Sequence, residues 1–215
     1  MTEPRDGDGP SRPGRPRKPS FAERRERRAA VDDVREVLDA AARVLEARPR
    51  SVAEVRRRLV TAGYPPALVE ESITRLLALG YLDDEAFARS WVESRDRSSP
   101  RGEHALRREL GQKGVERAVA DGILAERRTE AAERDPDGAD TTDPDEAGAE
   151  RLLRRRLPSI LREPDPRRRS GRAYALLARS GFAPDVCSSV TRRVLREAAD
   201  EAALETTEDP GGEDA

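Results

Sequence analysis

The sequence predicts an all-α protein of tandem three-helix repeats, and three observations carry the prediction. A phrase in which Leu precedes Gly by four residues, with a second apolar helical stretch after it, recurs at three widely spaced places. Arg56-Arg57-Arg58-Leu59 leads to Gly63, Arg107-Arg108-Glu109-Leu110 leads to Gly114, and Leu176-Leu177 leads to Gly181. This is how a helix that ends on a left-handed glycine and is followed by another helix looks in sequence. Apolar residues recur at helical spacing on both sides of each phrase. Finally, 39% of the 215 residues are charged, 35% hydrophobic and 3% aromatic, which suits a small helical core with solvated arms better than a large globular enzyme.

Residues 1–30 carry prolines at 4, 10, 13, 16 and 19 among Gly and Arg, and are expected to form a disordered arm. The first unit is placed at 31–82. Val34, Val37, Leu38, Ala41, Val44 and Leu45 mark its first helix, which Arg48-Pro49-Arg50-Ser51 ends. Ser51 then starts the second helix as N-cap, with Glu54 completing a capping box and Val52, Val55, Leu59 and Ala62 as its apolar stripe. Pro65-Pro66 opens a third helix that faces Leu68, Val69, Ile73, Leu76 and Leu77 inward before Gly80 closes it.

The second unit, 83–129, begins with Asp83 or Asp84 capping a helix that carries Phe87, Trp91 and Val92. After Ser98-Ser99-Pro100-Arg101-Gly102 come a helix with Ala105, Leu106 and Leu110, ending at Gly114, and another with Val115, Val119, Ile123 and Leu124. The third unit is placed at 147–198, with helices at about 147–160, 168–180 and 184–198. Leu59 and Leu110 are 51 residues apart, Leu110 and Leu177 are 67 apart, and the excess approximates the acidic run 130–146. That run is read as a disordered insert, and 199–215 as a disordered acidic tail.

Charge is strongly segregated. Residues 1–30 hold nine basic and five acidic side chains, while 130–146 hold one basic and eight acidic. Residues 151–172 hold nine basic and two acidic, and 197–215 hold eight acidic and no basic ones. Only Lys18 and Lys113 are lysines, so the arginine excess reads as codon bias before it reads as phosphate recognition. Cys187 is alone, which rules out an intramolecular disulfide and fits a reducing compartment. No signal-peptide pattern or membrane span is visible, so a soluble cytoplasmic protein is expected.

The stretch Gly80-Tyr81-Leu82-Asp83-Asp84-Glu85-Ala86-Phe87-Ala88, followed by Trp91-Val92 and Arg95, closely resembles the signature of the RecX family of bacterial recombinase regulators. The resemblance runs upstream through Gly63, the 54–59 helix and Arg50-Ser51. Downstream it takes in Gly102, Leu106, Glu109-Leu110 and Lys113-Gly114-Val115. A looser third copy includes Arg172, Leu176-Leu177, Arg179, Gly181-Phe182 and Val190. It implies an elongated, curved, non-enzymatic module that binds the RecA filament on single-stranded DNA. Such a module inhibits the filament's ATPase, strand-exchange and coprotease activities, and so modulates recombination, DNA repair and the SOS response. A monomer without cofactor is implied. The Arg/Pro arm, the acidic insert and the acidic tail depart from the family pattern.

The residues themselves are bland as catalysts. Asp83-Asp84-Glu85 sits where a helix start wants carboxylates. His104 is the only histidine, Cys187 lies on an apolar helix, and no phosphate-binding glycine loop is present. Tyr81, Phe87 and Trp91 read as core. The Arg clusters are the candidate contacts, because matching positions in a stacked array form a stripe along one face. Arg56, Arg57, Arg58, Arg95, Arg107, Arg108 and Lys113 are therefore the expected partner-binding set, whether they meet an acidic filament surface or, weakly, DNA phosphates. Arg154-Arg155-Arg156 and Arg167-Arg168-Arg169 form similar clusters. The rival reading is a helix-turn-helix-like nucleic-acid-binding protein.

Overall fold

The computed structural model describes residues 20–134 and 143–207, and all regular structure among them is helical. The first repeat comprises α2 (Val34–Glu46), α3 (Val52–Ala62) and α4 (Pro66–Ala78). The second comprises α5 (Asp84–Ser98), α6 (Glu103–Lys113) and α7 (Arg117–Arg134), and the third α8 (Pro144–Leu161), α9 (Pro166–Arg179) and α10 (Pro184–Thr207). A further helix, α1 (Phe21–Ala29), precedes them. Each repeat has its own apolar core.

The cores share a register. Val37, Ala88 and Ala149 are equivalent and buried, as are Ala41, Val92 and Leu153 in the first helices. In the middle helices Val55, Leu106 and Ala173 match, followed by Leu59, Leu110 and Leu177. The glycines of the repeated phrase adopt the left-handed conformation: Gly63 (φ 103°), Gly114 (φ 82°) and Gly181 (φ 85°). An L-residue there would be strained, so each middle helix stops where the phrase says it stops. Core volume is also kept between the second and third repeats by exchange. Phe87 of the second repeat is replaced by Gly148 in the third, and the ring of Phe182 lies 3.6 Å from where a Gly148 Cβ would be.

Several expectations need correction. Residues 21–29 are helical, because the Ser20 hydroxyl accepts from Glu23 N (3.2 Å) while the Glu23 carboxylate accepts from Ser20 N (2.5 Å). The run 130–146 does not stand apart from the repeats. Residues up to 134 continue α7, and 144–146 are the first turn of α8, where Asp145 is buried. The 61-residue spacing between Val92 and Leu153, against 67 between Leu110 and Leu177, shows why. Part of the extra length precedes α8, and the rest lies between Leu153 and the core of α9. The tail prediction fails over 199–207, which extend α10. The central part of the insert, 135–142, and residues 1–19 and 208–215 lie outside the described residues.

Other differences are local. Tyr81 is 70% exposed and Leu77 is 45% exposed, so neither is core. Both sit at the end of α4, where the chain turns towards the second repeat. Ser51 does cap α3, accepting from Glu54 N (3.1 Å), but Glu54 sends its carboxylate to Lys113 and Arg48 instead of back to Ser51.

Candidate functional site

The repeats join end to end through their middle helices. The C-terminus of α6 abuts the N-terminus of α3, where the Ser51 hydroxyl donates to the Lys113 carbonyl (2.5 Å). A Cβ on Gly114 would lie 2.3 Å from that of Ala53. The next junction repeats the plan: Gly102 N donates to the Ser180 carbonyl (3.1 Å), and a Cβ on Gly181 would lie 2.4 Å from that of Ala105. Thus α9, α6 and α3 form one head-to-tail row, in which each carbonyl end meets the amide end of the helix ahead, a favourable dipole arrangement.

A carboxylate from the following repeat completes each junction. Asp83 is the N-cap of α5, while the adjacent Asp84 accepts from Val52 N at the start of α3 (2.9 Å). Asp145 likewise accepts from Glu103 N at the start of α6 (2.9 Å). Burial pushes both carboxyls above the ordinary aspartate value, against the amide bonds they accept. These acids therefore serve as caps between repeats, which accounts for the Asp83-Asp84-Glu85 cluster without catalytic chemistry.

On this scaffold the seven candidate residues divide. Arg56 is tied to Glu70 (2.7 Å) and Arg107 to Asp121 (2.6 Å), equivalent braces from the middle to the third helix of their repeats. These carboxylates hold both guanidiniums above their ordinary pKa. Arg95 and Lys113 belong to the first junction, with their cations 4.6 and 4.7 Å from the centroid of the Trp91 ring. Arg95 also pairs with Glu109 (2.7 Å), which accepts from Trp91 Nε1 (2.9 Å), and Lys113 pairs with Glu54 (2.9 Å). Burial opposes ionisation of Glu54, but the bonds from Lys113 and Arg48 outweigh it and hold the carboxyl below its usual value. Arg57, Arg58 and Arg108 are exposed, and among the described residues none of them has an ion-pair partner.

The stripe thus alternates braces with free cations, a distinction sequence spacing cannot draw. It does not continue into the third repeat, where Tyr174 and Ala175 stand at the positions of Arg107 and Arg108. Arg154 is tied to Glu150 (2.8 Å) and Glu197 (2.6 Å), and Arg155 donates to the Ser98 carbonyl (3.0 Å). His104 is exposed on the first turn of α6. Cys187 is buried, its thiol pushed up by that burial, as a packing residue would be.

Sequence reasoning missed one group entirely. Arg127 reaches Asp96 (2.8 Å) and Asp145 (2.7 Å), with only 9% of its side chain exposed. It stands at the register of Leu76 and Val194, core positions in the other repeats. The available signal was the tripeptide Asp84-Glu85-Ala86, repeated as Asp145-Glu146-Ala147. That repeat marks the true start of α8.

A row of three-helix units whose recurring chemistry lies in junctions and an exposed cationic face defines a repeat-type interaction module. Residues 83–124 match the family model of the second three-helix domain of RecX, and 38–76 match that of the first. The regulatory protein RecX of Mycolicibacterium vanbaalenii is 40% identical over 127 residues, covering 55% of this chain and 69% of that protein. That of Mycobacterium avium is 35% identical over 148 residues, covering 69% and 78%. The crystal structure of RecX from Lactobacillus salivarius superposes with a TM-score of 0.58 at 21% identity, over 75% of this chain and 96% of that one. A second crystal structure of regulatory protein RecX gives 0.60 at 19%, over 80% and 73%. The chain belongs to the RecX family of regulatory proteins. No helix among the described residues is long and apolar enough to cross a membrane.

Proposed function

We propose that this protein binds the RecA filament on single-stranded DNA and restrains its ATPase, strand-exchange and coprotease activities without catalysis of its own, acting in the cytoplasm as a monomer. In this reading it modulates recombination, DNA repair and the SOS response. The observation that carries the reading is the head-to-tail row of repeats with Arg57 and Arg108 free at equivalent positions, beside the braces Arg56 and Arg107. A row hydrogen-bonded at both junctions repeats its cationic groups along one direction, which suits a periodic partner whose subunits repeat. Occupying the groove of such a filament impedes nucleotide turnover and access by other substrates.

The test is ATP hydrolysis by the recombinase of the same organism, assembled on single-stranded DNA, with this protein added. Inhibition below one molecule per protomer is expected, and the triple variant Arg57→Glu, Arg58→Glu, Arg108→Glu should inhibit at least tenfold less effectively. Undiminished hydrolysis at saturating protein sinks the reading.

A further inference from the structure

A second cationic feature shares Arg57 and Arg58 with the stripe and is built on the N-terminal helix. Helix α1 sits across the end of the first repeat: the Arg28 guanidinium donates to the Ala62 carbonyl (3.4 Å) and lies 5.5 Å from the centroid of the Tyr64 ring. Gly63 makes room for it, since a Cβ there would be 2.5 Å from Arg25 Cγ. The groove left between α1, α2 and α3 has a volume of about 650 Å³. Five arginines line it, Arg28, Arg43, Arg50, Arg57 and Arg58, against one carboxylate, Glu54.

That single carboxylate is already satisfied, by Lys113 (2.9 Å) and by Arg48 (3.2 Å). Arg50 donates to the Val44 carbonyl (3.1 Å), an uncharged partner. Burial lowers its pKa, and its cationic neighbours Arg48 and Arg58 lower it further. Arg43, Arg57 and Arg58 are exposed and have no ion-pair partner among the described residues. The groove therefore concentrates positive charge that the fold does not neutralise. Elsewhere in the chain arginines such as Arg56, Arg107, Arg127 and Arg154 are each tied to a carboxylate.

We propose that the groove between α1, α2 and α3 is a binding site for single-stranded nucleic acid, with Arg43, Arg57 and Arg58 meeting its phosphates and Phe21 stacking on an unpaired base. Phe21 is the feature that selects this ligand. It lines the groove with 58% of its surface exposed, and an aromatic face beside an arginine-lined channel is how sequence-tolerant single-strand binders are built. Phosphate contacts alone would suit a duplex equally. Helix α1 lies outside the residues matched by the two three-helix family models. The site acts on free strand and does not depend on the filament reading.

The experiment is fluorescence anisotropy of a labelled thymidine 20-mer with the full chain and no recombinase present, between about 50 and 200 mM salt. The comparison is with Arg43→Gln, Arg57→Gln, Arg58→Gln. Micromolar or weaker binding is expected of the wild type. The variant should reduce the slope of log K against log salt by about 2, since each phosphate contact with a single strand contributes about 0.7. Arg97→Gln, Arg156→Gln, Arg192→Gln removes the same charge from exposed positions elsewhere and should leave the slope nearly unchanged. Phe21→Ala should weaken single-strand binding about tenfold and duplex binding much less. Equal losses in the two triple variants would overturn the proposal, and so would a wild-type preference for poly-glutamate over the oligonucleotide. Circular dichroism confirms that each variant remains helical.

Discussion

At the junction of the first two repeats, Glu54 takes Lys113 and Arg48 beside a partly buried Trp91; at the next, Arg127 is enclosed and bridges two aspartates. The backbone plan is common to both: a carboxylate capping the middle helix ahead and a glycine allowing close approach. What differs is the cation: Lys113 is 24% and Arg48 43% exposed, against 9% for Arg127. A carboxylate shared between two cations, one of them the exposed Arg48, tolerates the loss of either. An enclosed pair is unforgiving, because removing one partner strands the other without water. The lesson is that one geometric joint can be held by weak redundant contacts or by one indispensable group.

The largest expected effect follows from that contrast. Arg127→Ala leaves Asp96 and Asp145 unpaired and should cost about 3–5 kcal/mol in urea denaturation, with the third repeat losing amide-exchange protection first. Arg127→Leu combined with Asp145→Asn restores the apolar register of Leu76 and Val194 and should recover most of the loss. If Arg127→Ala is as mild as a change at the first junction, the comparison is broken.

Next in size is Gly102→Ala. Its φ of −70° suits alanine, so the penalty is steric: the new Cβ would meet the Gly181 carbonyl oxygen at 2.2 Å. A loss of about 1–3 kcal/mol is expected. Gly111→Ala on the same helix meets nothing within 4 Å and should instead stabilise by up to about 1 kcal/mol.

The smallest effect belongs to the first junction. Lys113→Ala or Glu54→Gln should each cost about 1 kcal/mol at neutral pH. Because the folded state lowers the pKa of Glu54, its contribution is present above the ordinary value of 4.5 and is lost as pH falls through the lower folded value. The advantage of the wild type over Glu54→Gln, measured by denaturant midpoint, should therefore vanish in that acid window. An advantage that persists there would mean Glu54 acts by packing alone.

Much of this was legible in the sequence, because helix stops and apolar periodicity are local. The three phrase glycines, the stripe through Val55 and Leu59, and the equivalent stripe through Leu106 and Leu110 are where spacing puts them. The failures share a cause: the deciding contact lies far along the chain. An arginine at an apolar register looks like a solvated residue until Asp145, 18 positions on, is seen to meet it. Arg56 and Arg57 are adjacent and identical in type, yet only the first has Glu70 within reach. Helix α1 was missed because its Pro-rich neighbours set the composition of the whole arm.

The direction of the middle-helix row bears on how the chain is made. Translation delivers the repeats in order, but the middle helices α3 and α6 each receive an amide partner from the repeat that comes after, whereas α9 is capped by its own Asp165. Val52 waits for a residue 32 positions downstream, and Glu103 for one 42 positions downstream. A nascent first repeat therefore leaves the ribosome unfinished at its seam and is completed only by the one behind it. A chain cut after the first or second repeat would leave Val52 or Glu103 without its carboxylate.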